Sequence, residues 1–127
     1  MDKKIINVIK KIGKNKIKFI ILFGSASNGK NNKFSDIDLA IYYEGTKKEG
    51  YDFLIKLSGL LPDKYDIKIF QYLPLYIQKD VLTGKLVYAE DESFVYKVAY
   101  EVIKKFEDFK KGYYDYINLE RIKWARS

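Results

Sequence analysis

The 127-residue sequence predicts a single α/β domain, residues 1–127, with a helical C-terminal segment at about 91–126. Three observations carry the prediction. Apolar residues alternate along the chain between helical spacing and short β-rich runs. The 47% hydrophobic content, with 17% aromatic residues, is enough for one buried core at this length and leaves little room for a second. No repeat, linker or low-complexity segment divides the chain.

The elements follow in order. Ile5, Ile9 and Ile12 lie at helical spacing, and Gly13 ends that first helix, over 3–12. IKFIILF, 17–23, is a short apolar run closed by Gly24, which suits a buried strand. The polar stretch 24–35 is a loop or a short helical turn. From Asp36 the pattern alternates, with Ile37, Leu39, Ile41 and Tyr43 on one face and Asp36, Asp38, Ala40 and Tyr42 on the other. A helix over 47–61 uses Phe53, Leu54, Leu57, Leu60 and Leu61 as its apolar side and stops at Pro62. KYDIKIF, 64–70, alternates again, with Asp66, Lys68 and Phe70 opposite Tyr65, Ile67 and Ile69. A short helix over 74–84 runs from Pro74 to Gly84, and KLVY, 85–88, is a short strand. From Asp91 a last helix carries Phe94, Val95, Val98, Val102, Phe106 and Phe109 on its apolar side, with Gly112 expected to kink or end it.

Composition removes several chemistries. The chain has no Cys, which excludes disulfides and thiolate metal sites, and no His, which excludes a Ser-His-Asp triad and imidazole-bound zinc. The formal charge is +7, nearly all of its cations being lysines spread along the chain, so a polyanionic partner and a merely solvated lysine surface are comparable readings. The start has too short an apolar run for a signal peptide, and Phe19 to Phe23 is too short to span a bilayer; the expectation is a cytoplasmic protein without membrane contact.

The informative stretch is LFGSASNGKNNKFSDIDLAIYY, 22–43. Carboxylates at i and i+2 of a strand share a face, roughly 6 to 7 Å apart at Cα, so Asp36 and Asp38 can converge on one divalent cation. Mg²⁺, or Mn²⁺, suits such a pair, because a hard cation with few protein ligands keeps positions for water and phosphate oxygens. Asp66, in the same phase on another strand, would complete a second metal site. Gly24 at a strand-to-helix turn lets the backbone approach a phosphate, and Ser25 adds a hydroxyl donor. Each residue also has a plain alternative: a helix N-cap for Gly24-Ser25, and solvated strand acids for the three aspartates.

Gly24-Ser25, ten residues, then Asp36-Ile37-Asp38 resembles the G-S-x10-D-x-D pattern of the DNA polymerase β-like nucleotidyltransferases, and SDIDLAI resembles the form in the small minimal nucleotidyltransferase (MNT) group. The resemblance covers most of the chain, including Asp66 within YDIKIF at the usual place of the third acid. It implies a polymerase β-like fold, a small mixed sheet with helices on one side and a C-terminal helix. It implies transfer of a nucleoside monophosphate from an NTP, expected to be ATP, with Mg²⁺ held by Asp36, Asp38 and Asp66 and the triphosphate by Gly24 and Ser25. Relatives often carry Arg between the Ser and the first Asp; here Lys30 and Lys33 are the cations available, and Lys30 is the candidate phosphate contact. The resemblance further implies a HEPN-family RNase toxin as partner, silenced when an antitoxin of this kind adds AMP to one of its tyrosines. The alternatives are an antitoxin that neutralises its partner by binding alone, and nucleotidyl transfer to a small-molecule hydroxyl, which usually needs an added domain. The aromatic tail, with Tyr113, Tyr114, Tyr116 and Trp124, is expected to cover the domain's own core, with docking of the toxin or of a second copy as the alternative. Its basic residues Lys110, Lys111, Arg121, Lys123 and Arg126 read as a solvated face in preference to an RNA contact.

Overall fold

The computed structural model describes residues 1–24 and 36–126, with side chains through residue 118. Helix α1 spans Lys3–Gly13 and starts where the Lys4 amide donates to Asp2 Oδ1 at 2.9 Å. After a 3₁₀ turn at Lys14–Lys16 come strand β1, Ile17–Phe23, and strand β2, Ile37–Tyr43. Helix α2, Lys47–Leu60, opens with a reciprocal capping box: the Glu49 amide donates to Thr46 Oγ1, and the Thr46 amide to Glu49 Oε1, both at 3.2 Å. Strand β3 is Tyr65–Ile69, helix α3 is Leu75–Val81 after Pro74, and strand β4 is Lys85–Ala89. Helix α4 runs over Glu92–Arg126.

The strands form one mixed sheet in the order β3-β2-β1-β4, with β1 antiparallel to both β2 and β4 and β3 parallel to β2. A register shift between Ile17 and Phe19 turns Ile17 onto the same face as Ile20. That face, with Leu22, Leu39, Ile41 and Ile69, is covered by Ile5 and Ile9 of α1 and by Phe53 and Leu57 of α2. The helical layer expected on one side is therefore α1 and α2. The C-terminal helix does more than follow it, because α4 joins α3 in closing the opposite face, where Phe19, Ile21, Ala40 and Phe70 bury Val81, Val95, Val98 and Val102. Ala40, on the face that begins with the aspartates, is fully buried, so only the end of that face stays polar.

Four expectations change. Gly112 does not end α4, which continues to Arg126; a lone glycine costs a helix only about 1 kcal/mol against alanine, and no proline follows it. Phe109 is 64% exposed, and Tyr113, Tyr114 and Tyr116 are also exposed, so these aromatics do not cover the core. Phe109, Tyr113 and Tyr116 continue the stripe of Val95, Val98 and Val102, but the body underneath ends near Phe106. Leu60 is exposed, since the apolar side of α2 is narrower than its leucines suggest. Phe70 leaves the strand for a 3₁₀ turn at Phe70–Tyr72.

Candidate active site

Topology brings the predicted acids to one end of the sheet. In the parallel β2–β3 pair, Asp38 and Asp66 are register partners, and the β1–β2 pairing sets Phe23 opposite Asp38. Period-two alternation places both carboxylates on the face that α3 and α4 cover further along. At their end Asp66 is exposed and Asp38 is partly buried. Asp36 is exposed just before β2.

The electrostatics single out Asp38. Burial pushes its carboxyl above the ordinary carboxylate range, the charge of Asp66 and a hydrogen bond with that same carboxyl push it further, and Asp36 adds to the effect; Lys68 opposes it weakly. Two carboxyls can share a hydrogen bond only if one carries a proton, so the pair is crowded by its own charge. Lys68 Nζ stands 3.8 Å from Asp66 Oδ1, on an exposed strand surface where it relieves little. Among the described residues no three acidic side chains close on one point as a finished cage. Asp38 and Asp66 converge, and Asp36 stays within electrostatic range. Two adjoining carboxylates with a third beside them fit Mg²⁺, which keeps several positions for water and phosphate oxygens.

Gly24 completes the arrangement. It follows β1 with φ +74°, and a Cβ there would sit 2.5 Å from Asp38 Oδ2. The glycine is thus needed for its conformation and for its closeness to the carboxylate. Ser25, Lys30 and Lys33, the other predicted triphosphate contacts, lie outside the described residues.

On the β4 side of Gly24 is a hollow of about 310 Å³ lined by Phe23, Ile77, Asp80, Thr83 and Gly84. Sequence reasoning missed these residues as part of the site's surroundings. Gly84 was visible only as a helix stop, whereas in the fold a Cβ there would collide with the Leu22 carbonyl oxygen. Nothing local marks such a contact, because it depends on β1 and β4 pairing.

The family model described as "Polymerase beta, Nucleotidyltransferase" matches residues 3–93. A Methanocaldococcus jannaschii protein whose name gives protein adenylyltransferase as its inferred activity is 35% identical over 92 residues, 72% of this chain and 71% of its own. Among solved structures, a chain of a toxin–antitoxin crystal structure with AMP-PNP has a TM-score of 0.73 at 20% identity, covering 93% of this chain and 97% of that one. A chain of the complex of tri-AMPylated Shewanella oneidensis HEPN toxin with MNT antitoxin has a TM-score of 0.66 at 19% identity, again covering 93% and 97%. At such identities the likeness is one of fold.

Proposed function

Because the chain belongs to the polymerase beta nucleotidyltransferase family, we propose that this nucleotidyltransferase is a single-domain antitoxin that moves AMP from ATP to a tyrosine of a HEPN-family toxin. The observation that carries the reading is the crowded pair Asp38–Asp66 beside Gly24, with Asp36 at its rim. Like charges held together on one face oppose folding unless a cation or a proton relieves them. A module that merely binds its partner has no use for that cost.

Asp36, Asp38 and Asp66 would hold Mg²⁺, which when bound supplies charge neutralisation for the triphosphate and for the leaving pyrophosphate. Gly24, with Ser25 and Lys30, receives the triphosphate, the glycine by leaving room for phosphate against the backbone. The acceptor oxygen forms its bond to the α-phosphorus as the bond to the bridging oxygen breaks, the hydroxyl proton passes to solvent, and pyrophosphate departs. Positioning and electrostatics supply most of the acceleration in such a step. The acceptor class is supported by the relative named for protein adenylyltransferase activity, and the partner by the fold shared with chains of HEPN toxin complexes. The cytoplasm, where ATP and an RNase toxin would meet, is part of the same proposal; no helix among the described residues is long and apolar enough to cross a membrane.

The test is transfer of α-labelled ATP, with Mg²⁺, to a purified HEPN partner or to cell extract, with wild type run beside Asp36→Asn and Asp38→Asn. A labelled protein band lost in both variants is expected. A wild-type protein that binds its partner tightly and labels nothing would leave complex formation as the better account.

A further inference from the structure

Strand β3 lies at the edge of the sheet, paired with β2 on one side and with no strand on the other among the described residues. Asp66 and Lys68 project to the acid face, and Tyr65, Ile67 and Ile69 to the α2 face. Beside this edge the second half of α2 and the turn after it leave a hollow of about 460 Å³, lined by Leu54, Ile55, Leu61, Tyr65 and Ile67, with Ser58 and Asp63 at its polar parts, and reaching Asp66. Ile55 is 68% exposed, so the hollow presents uncovered apolar surface. It is continuous with the acid site through Asp66 but lies on the other side of the sheet. An occupant that touches both must pass along the edge of β3.

We propose that the acceptor is an extended polypeptide segment that adds to the outer edge of β3 as a fifth strand. The inference rests on the preceding reading, that the acids serve transfer to a protein hydroxyl. Strand addition supplies main-chain hydrogen bonds, and pockets for alternate side chains supply selectivity. Alternation then dictates the acceptor's pattern: when one side chain lies on the acid face, its two neighbours point to the α2 side and fill the hollow. The segment therefore reads apolar, hydroxyl residue, apolar.

Spacing selects the hydroxyl. Neighbouring strands lie about 4.8 Å apart, so a side chain on the fifth strand must reach back across that gap to the carboxylates. Tyrosine is long enough; serine and threonine are not. The tyrosine oxygen bonds to the α-phosphorus, the bond to pyrophosphate breaks, and the phenolic proton passes to solvent. Lys68 on the same strand discourages arbitrary strand pairing, as charged edge residues do.

The experiment uses the full chain, α-labelled ATP and Mg²⁺, with nonapeptides centred on tyrosine and flanked on both sides by valine or by aspartate, and a serine-centred peptide. The valine-flanked tyrosine peptide should be labelled with kcat/KM about tenfold or more above the aspartate-flanked one, and the serine peptide not at all. Ile55→Lys and Ser58→Trp, both on the exposed side of α2, should raise the KM for the peptide about tenfold while leaving that for ATP unchanged. Unchanged peptide KM in both variants would overturn the proposal. So would labelling of a folded partner by a wild-type protein that labels none of the peptides, an outcome that leaves the transferase reading standing. Absence of transfer to any peptide or protein would remove both.

Discussion

The backbone of Gly24 lies so close to the carboxylate of Asp38 that a methyl group on the glycine would stand 2.5 Å from Oδ2. The turn after β1 and the first residues of β2 are therefore one unit, joined by the β1–β2 pairing that sets Phe23 opposite Asp38. Gly24→Ala introduces both this clash and a strained φ, a backbone cost of about 1–2 kcal/mol. It should lower Tm modestly and nucleotidyl transfer severely, with Asp38 pushed out of place. A thermal melt beside the transfer assay checks both, and full activity with a lowered Tm would show that the glycine serves the fold alone.

Asp38→Asn should trade function for stability. Transfer falls on the order of a hundredfold or more, as when one charge-stabilising group is removed from a site. In metal-free protein the melting temperature rises at pH 7, because the folded-state pKa of Asp38 lies above its unfolded value and its ionisation opposes folding. That penalty is absent below the ordinary carboxylate range and grows as pH rises through it, so the gain in Tm should vanish at about pH 3. Mg²⁺ should raise the Tm of wild type at pH 7 more than that of the variant.

Two glycines should respond in opposite directions. Gly84→Ala drives a Cβ into the Leu22 carbonyl oxygen and should destabilise by about 1–3 kcal/mol, as overpacking does. At Gly112 nothing lies within 4 Å, and alanine there should stabilise the helix by about 0.5–1 kcal/mol. Denaturant titration of the two single variants decides it, and equal effects would contradict the packing described.

Removing the chain after Phe106 should leave the melting temperature nearly unchanged, since every described residue from 107 to 116 is exposed. If the tail grips a partner, Phe109→Ser with Tyr113→Ser should weaken partner binding about tenfold or more and spare the KM for ATP. Calorimetry against the purified partner measures the first and steady-state kinetics the second.

Much of the fold was legible because its signals are local. β2 shows clean alternation, α2 carries Phe53 and Leu57 at helical spacing and stops before Pro62, and Pro74 stands just before α3. Asp36 and Asp38 read as a pair from spacing along one strand, although Asp36 stands just before β2 and it is Asp66 that adjoins Asp38. Asp66 needed more, because its place opposite Asp38 depends on a parallel pairing that no short segment encodes. The end of the first helix was found for an incomplete reason: Gly13 has an ordinary φ, the positive φ belongs to Lys14, and a side chain at Gly13 would collide with Ile17. The aromatics of α4 misled because their spacing continues the stripe of Val95, Val98 and Val102. Periodicity shows which side of a helix is apolar, but not how far the body beneath it extends.

That overrun gives α4 two unequal halves. Up to Phe106 its apolar face is backed by the packed body; from Glu107 to Tyr116 every side chain is exposed. Most helical stability in proteins comes from packing of one face, so a stretch whose side chains are exposed frays more readily than one backed by a core. Amide hydrogen exchange should therefore change sharply near Phe106, slow before it and fast after it, and the fast stretch should become protected once a partner covers Phe109 and Tyr113. The same protein would then report its own occupancy without nucleotide, label or chemistry.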